Sequence, residues 1–484
     1  MLNHFFGGLM TKDMTRGNPL RLILGFTLPL LAGMIFQQLY NLVDTMIVGR
    51  TLGVTALAGV GATGSINFLV IGFCMGICSG FAIPVARCFG AGDHKRLRQF
   101  VGNGILLCVL FGFVLTVITV LFCRNILLLM GTPADCLDPA HQYIRVIFAG
   151  IPCTLLYNLL SAYLQALGDS KTPLAFLVFS SVLNVALDLF FILRLNLGIL
   201  GASLATVMSQ GISGLLCLVW IAHRFPILHL TRMDLRPMGS RIHELCITGI
   251  PMGLQYSITA IGSVILQVGV NSLGSSAVAA VTAASKIGNF LACVPNGLGS
   301  TMATYSAQNV GAGHYDRLDR GIKTASLMGA IYSILAIAIC QLFGTSLAAL
   351  FITGSSSKEL LALSHQYLLM NTLFYPALTL VNVIRFSIQG MGFSVFAIFS
   401  GLMEMIARII AGAVLVPALG FFGCTLASPL AWVLADLFLF PAYARCKKVL
   451  LTKAHHTAVP ATDSVNAIEP CPSLSPKRQA AHSA

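Results

Sequence analysis

The sequence predicts an all-α integral membrane protein of twelve transmembrane helices arranged as two pseudo-symmetric six-helix lobes. Three observations carry that prediction: an apolar composition, about twelve apolar runs of spanning length, and an internal duplication. Of 484 residues, 56% are hydrophobic and 9% charged, and the mean hydropathy is +0.86. A water-facing surface carries about 25% charged residues, which excludes soluble enzymes, disulfide scaffolds and nucleic-acid modules. The net charge of +13 comes from 29 basic and 16 acidic side chains. The basic ones gather in a few loops and at the chain ends, as the positive-inside rule requires. The 14 Cys are scattered singly through apolar stretches, and the closest pair, Cys74 and Cys78, has no second pair or His at metal spacing. They read as small core hydrophobes.

The first apolar run, 20–48, follows a polar start that ends at Pro19 and closes before Arg50. It is too long for the apolar part of a signal peptide and reads as a retained span. Run 54–84 ends before Arg87, and run 99–123 lies between the cluster Lys95, Arg96, Arg98 and Arg124. Runs 140–166 and 172–193 flank Gly168-Asp169-Ser170-Lys171-Thr172, and run 198–222 opens at Gly198 and closes before Arg224. An inter-lobe linker, 226–242, carries Arg232, Arg236 and Arg241. It separates an N-lobe, 20–225, from a C-lobe, 243–450, with runs at 243–271, 277–305, 321–346, 360–388, 395–416 and 421–444. Segment 1–19 precedes the lobes, and the tail 451–484, rich in Ala, Pro, Ser and His, is expected to be disordered. With the N-terminus inside, Lys and Arg favour the inner loops and ends by about four to one, which places both termini in the cytoplasm.

The halves repeat one another at a shift of about 222 residues. Leu28-Pro29-Leu30 answers Ile250-Pro251-Met252. Gly90-Ala91-Gly92 before Arg96-Leu97 answers Gly311-Ala312-Gly313 before Arg317-Leu318. Leu197-Gly198 with Gly201 and Leu204-Ala205 answers Leu419-Gly420 with Gly423 and Leu426-Ala427. Six spans per half make the repeats parallel, related by an axis along the membrane normal with a cleft between them, the architecture of alternating access. Oligomeric state leaves no signal, and a monomer is the simplest reading because the duplication supplies both lobes.

Ionisable groups inside spans are costly and are functional candidates. Glu404 and Arg408 lie one turn apart and can neutralise each other. Lys286 and Asp436 lie at comparable depth, which would allow them to pair across helices. These four C-lobe charges are read either as a neutral lock or as part of coupling. Asp44 and Asp188 differ, because the first half has no deep base to compensate them. Asn184, four residues before Asp188, shares its helix face, and Thr206 lies at similar depth on the returning helix. Two carboxylates, an amide oxygen and a hydroxyl form a candidate site for a hard cation, or for a proton on the carboxylates. Gln37, Tyr40 and Asn41 extend a polar stripe from Asp44, and Pro29 can kink the same helix. No other metal site is expected.

Gly168 to Thr172 lacks the glycines of a phosphate loop, and no HExxH or GxSxG occurs. Gly72, Gly76 and Gly80, and Gly249 with Gly253, have the spacing of close helix packing. The segments Gln37 to Asp44, Ala86 to Gly92, Gln165 to Pro173 and Gly201 to Thr206 together resemble the multidrug and toxic compound extrusion (MATE) family, over roughly residues 15 to 450. The resemblance implies a plasma-membrane antiporter, not an enzyme. It would export organic cations and amphipathic toxins in exchange for Na+ or H+, with no cofactor and no nucleic-acid partner. For the DinF-like branch it implies a first-lobe cation site at Asp44, Asn184, Asp188 and Thr206, with Pro29 on the same helix. The acids that the NorM-like branch adds in helices seven and ten are missing, with Gln255, Thr259 and Gln267 in helix seven. The rival expectations are a lipid-linked oligosaccharide or polysaccharide flippase of the same superfamily and, from another class, a membrane-embedded enzyme or sensor.

Overall fold

A computed structural model of the chain describes residues 12–130, 132, 134–351 and 357–458. Its helices account for every expected span. In the first half these are α1 (Pro19–Gly53), α2 (Ala58–Gly90), α3 (His94–Leu129), α4 (Cys136–Ala149 with Ile151–Ala166), α5 (Lys171–Arg194) and α6 (Ile199–Arg224). In the second they are α7 (Gly239–Asn271), α8 (Ser275–Gly311), α9 (Asp316–Ala349), α10 (Lys358–Leu373 with Tyr375–Gly390), α11 (Val395–Leu419) and α12 (Ala427–Thr452). Ten are long and apolar enough to span alone, and α4 and α10 reach that length as pairs bent by 49° and 47°. The bends have one cause: Pro152 and Pro376 stand just past the breaks, where each removes a backbone donor. Several helices outrun their apolar runs because polar turns continue them. The last one continues to Ala458, past the tail boundary expected at 451, since no Gly or Pro interrupts the chain until Pro460. The remainder of the tail lies outside the described residues.

The backbone repeats as the sequence does. α5 finishes in a π-helical turn, Phe190–Arg194, and α11 has one, Ala411–Leu415, just before its last turn, Val416–Leu419, a rare element whose occurrence at matching places marks common architecture. The glycine that follows has φ 57° at Gly198 and φ 60° at Gly420, with ψ −135° at both. Gly53 and Gly274, which join α1 to α2 and α7 to α8, form a second such pair at φ 84° and φ 93°.

The halves meet along α2 and α7, and the glycine spacing noted above explains how closely. A Cβ on Gly76 would stand 2.6 Å from the Cα of Gly253, and one on Gly80 would stand 2.4 Å from the Cα of Gly249. The two small-residue motifs are therefore each other's partner, packed backbone to backbone. Nearer the loops the contact is reciprocal. A Cβ on Gly90 would meet the carbonyl oxygen of Gln308 at 2.0 Å, and one on Gly311 would meet that of Arg87 at 1.9 Å. Glu244 of α7 adds ion pairs to Arg87 and Arg96, both 3.4 Å. Gln308 also donates to the Ala166 carbonyl at 2.8 Å and accepts from the Met14 amide at 2.9 Å, so the segment before α1 is bound into the same joint. The linker is clamped to α3: Asn103 accepts from the Met238 amide at 2.8 Å and donates to the Arg236 carbonyl at 3.3 Å.

The largest hydrophobic cluster fills the first half and reaches Met252, Ala307 and Phe386 across the joint. The second half divides its apolar core among smaller clusters, with a polar cavity in their midst. Outward-facing Leu110, Phe113, Leu121, Ile331, Ile334 and Leu342 stay exposed, as lipid-facing positions do.

Candidate cation site

Three helices of the first half bring the expected residues together. Asn184 and Asp188 sit one turn apart on α5, 1% and 0% exposed. From α6, Thr206 offers its hydroxyl to the Ala202 carbonyl at 3.1 Å and accepts from the Asn184 amide nitrogen at 3.3 Å. That bond turns the Asn184 carbonyl oxygen away from Thr206. From α1, half-buried Asp44 faces Asp188.

The acceptors outnumber the donors. Asn184 Oδ1, Asp44 Oδ1 and both carboxylate oxygens of Asp188 are buried and accept no hydrogen bond. A buried oxygen without a donor costs about 1–3 kcal/mol, more if charged. Neither acid has an ion-pair partner among the described residues. Two facing carboxylates with their oxygens unsatisfied form a site that a cation or a proton completes.

Tyr40 stands one turn before Asp44 on α1, near both carboxylates and beside Thr206. Tyr143 of α4, 8% exposed, closes the site from another side. Sequence reasoning missed Tyr143, since a lone Tyr in an apolar run carries no signal of what it faces. Gln37 and Asn41 continue the stripe as exposed side chains. Pro29 lies in unbroken helix, the one departure from helical φ/ψ between Pro19 and Gly90 being Gly53.

The second-half charges are arranged differently from the expectation. Glu404 does pair with Arg408, at 3.4 Å, but its shorter partner is Arg385 of α10, at 2.6 Å. Lys286 and Asp436 do not pair: Lys286 is exposed, its ammonium 5.7 Å from the ring centroid of Phe351. Asp436 is 7% exposed and lies near Arg385 and Glu404, with Oδ1 unpartnered. Comparable depth did not imply a common helix face, and Lys286 reaches Phe351, just past the end of α9.

The sequence model of the MatE family matches residues 29–190 and again 251–414, once in each half. The chain is 30% identical to the probable multidrug resistance protein YoeA of Bacillus subtilis, over 81% of this chain and 87% of that one. It is 28% identical to the probable multidrug resistance protein YpnP of the same organism, over 75% and 81%. Among solved structures, a MATE crystallised in complex with MaL6 superposes with TM-score 0.84 at 22% identity. That match covers 91% of this chain and 99% of the other.

Proposed function

Because the chain belongs to the MatE family, and is thus a transporter of the multidrug and toxic compound extrusion type rather than an enzyme, we propose that it is a cation-coupled multidrug efflux antiporter. The observation that carries the coupling is the convergence of Asp44, Asn184 and Asp188 oxygens, buried and without donors, beside Thr206. External Na+ or H+ binds there, helix α1 adjusts about Pro29, and substrate leaves the cleft outward. Rocking of the lobes then releases the ion to the cytoplasm. The relatives named for multidrug resistance support drugs and amphipathic toxins as substrates, and the membrane served is the plasma membrane with both termini inside.

The test is efflux of a fluorescent organic cation from proteoliposomes under a Na+ gradient or an H+ gradient alone. Efflux under one gradient, lost in Asp44→Asn and in Asp188→Asn, is the expected result. Undiminished efflux in both variants removes this site. Absence of efflux under either gradient removes the antiporter reading and turns attention to a labelled lipid-linked sugar as cargo. Pro29→Ala, assayed alongside, should slow coupled efflux, and an unchanged rate would reduce Pro29 to a static feature.

A further inference from the structure

The second half holds a half-open cavity of about 300 Å³ between α7, α8, α10, α11 and α12, at the lower end of the size range of small-molecule sites. Its lining combines aromatic walls with amides and a single cationic head. Tyr375 and Trp432 meet edge to face, centroids 6.0 Å apart, and Tyr367 extends that wall. Asn289 and Asn371 supply amides, Arg408 supplies the charge, and among the described residues no Asp or Glu lines the space.

Arg408 is in excess of what Glu404 requires. Glu404 is already engaged by Arg385 at 2.6 Å, whereas Arg408 reaches it only at 3.4 Å. A second hydrogen bond of Arg408, to the Thr259 carbonyl, is 3.5 Å long. A guanidinium has five N–H donors in a planar fork, so Arg408 keeps donors to spare. Asp436 does not absorb the surplus, because it lies near Arg385 and Glu404 and forms no ion pair. Two guanidiniums share the one carboxylate of Glu404, so the Arg385, Glu404 and Arg408 cluster keeps a net positive charge in spanning helices, which a further anion would offset.

The duplication sharpens the contrast. A shift of about 222 residues puts Leu266 where the first half has Asp44, and Ser428 where it has Thr206. Both line the cavity. The same shift brings Arg408 within one helical turn of the position answering Asp188. The second half thus keeps the hydroxyl, replaces an acid by Leu and adds a base, so the two halves present opposite charge at corresponding places.

We propose that this cavity binds an aromatic molecule carrying an acidic group, a carboxylate or sulfonate, with the acid on Arg408 and the rings against Tyr375 and Trp432. Planar acid and planar guanidinium match in geometry, and the amides give the remaining oxygens donors. The proposal concerns a second binding place and goes beyond the coupling reading, which it does not need.

The experiment is fluorescence polarisation on the full-length protein in lipid nanodiscs, without any gradient. The two dyes share a xanthene skeleton: fluorescein as the acid, at a pH where it is anionic, and rhodamine 6G as the cation. Saturable fluorescein binding is expected, at least tenfold weaker in Arg408→Gln and partly restored in Arg408→Lys, with rhodamine binding unchanged. No saturable fluorescein binding, or equal affinity in Arg408→Gln, overturns the proposal. Should Arg408→Gln not fold, Asn289→Trp fills the cavity from an exposed position and alters no charge. It should also weaken fluorescein at least tenfold, and unchanged affinity there places the dye elsewhere and overturns the proposal. Asp44→Asn should leave the dye titration intact, so failure of coupling and failure of this site are read in separate assays.

Discussion

Glu404 and Lys286 are both charged residues in spanning helices, yet the structure assigns them opposite importance. Glu404 is 4% exposed between two guanidiniums, so Glu404→Gln strands two buried cations at once. Breaking a buried ion pair by removing one partner costs about 3–5 kcal/mol. A marked fall in the melting temperature of the purified protein is the expected outcome. Lys286→Gln, at an exposed site over Phe351, should stay within about 0.5 kcal/mol of the parent. If Lys286→Gln proves as damaging as Glu404→Gln, Lys286 has a buried partner after all and the pairing described above is wrong. The sequence revealed which charges lie deep, and the four-residue spacing revealed one partner of Glu404. Its nearer partner, Arg385, was illegible because contacts between α10 and α11 depend on helix rotation, which hydropathy does not report. The Asp44 site was more legible: Asn184 and Asp188 share a face by spacing alone, and the absence of a deep base in the first half set them apart.

At the scale of elements, α2 and α7 meet through glycine where any side chain would collide. Gly80→Val places methyl groups against the Gly249 backbone, 2.4 Å from where a Cβ would already stand. Much of the apolar core of each half lies away from this joint, although two clusters cross between the halves, so the variant should fold but lose the close inter-lobe approach. Efflux at least tenfold slower, with near-normal yield on size exclusion, is the expected reading. Gly64→Ala is the control, since a Cβ there meets nothing within 4 Å. Equal loss in both variants would mean that helix propensity, not the inter-lobe contact, sets the effect. The spacing of Gly72, Gly76 and Gly80 announced close packing but could not name the partner, because every helix with a small-residue stripe is an equal candidate. The bends of α4 and α10 were hidden for another reason. Pro152 and Pro376 lie inside continuous apolar runs, and hydropathy averages across them.

For the whole molecule, the end where the lobes touch is also the end that carries most of the Lys and Arg. Arg87, Arg96, Glu244, Gln308 and the Met14 amide all lie there, and under the orientation proposed above from the positive-inside rule this end faces the cytoplasm. The inter-lobe contacts continue from that end past Gly76 and Gly253 to Gly72, which packs on Tyr256, and to Ser257, whose hydroxyl donates to the Leu69 carbonyl at 3.2 Å. Farther out, the side chains of Gln37 and Asn41 are exposed. With the orientation proposed above, charge bias and packing predict an outward-open carrier, sealed inside and wet outside. A cysteine at Asn41 in a Cys471→Ser background tests both halves of that statement, since the described native cysteines are buried or half-buried. A membrane-impermeant maleimide should label Asn41→Cys in right-side-out vesicles and leave it unlabelled in inverted ones. Ser306→Cys, fully buried in the seal, should resist the reagent in inverted vesicles while the carrier rests outward-open. Labelling of Asn41→Cys only in inverted vesicles would put the termini outside. Labelling from neither side would place the stripe against lipid, and the route from the external medium to Asp44 would have to be sought on another face of α1.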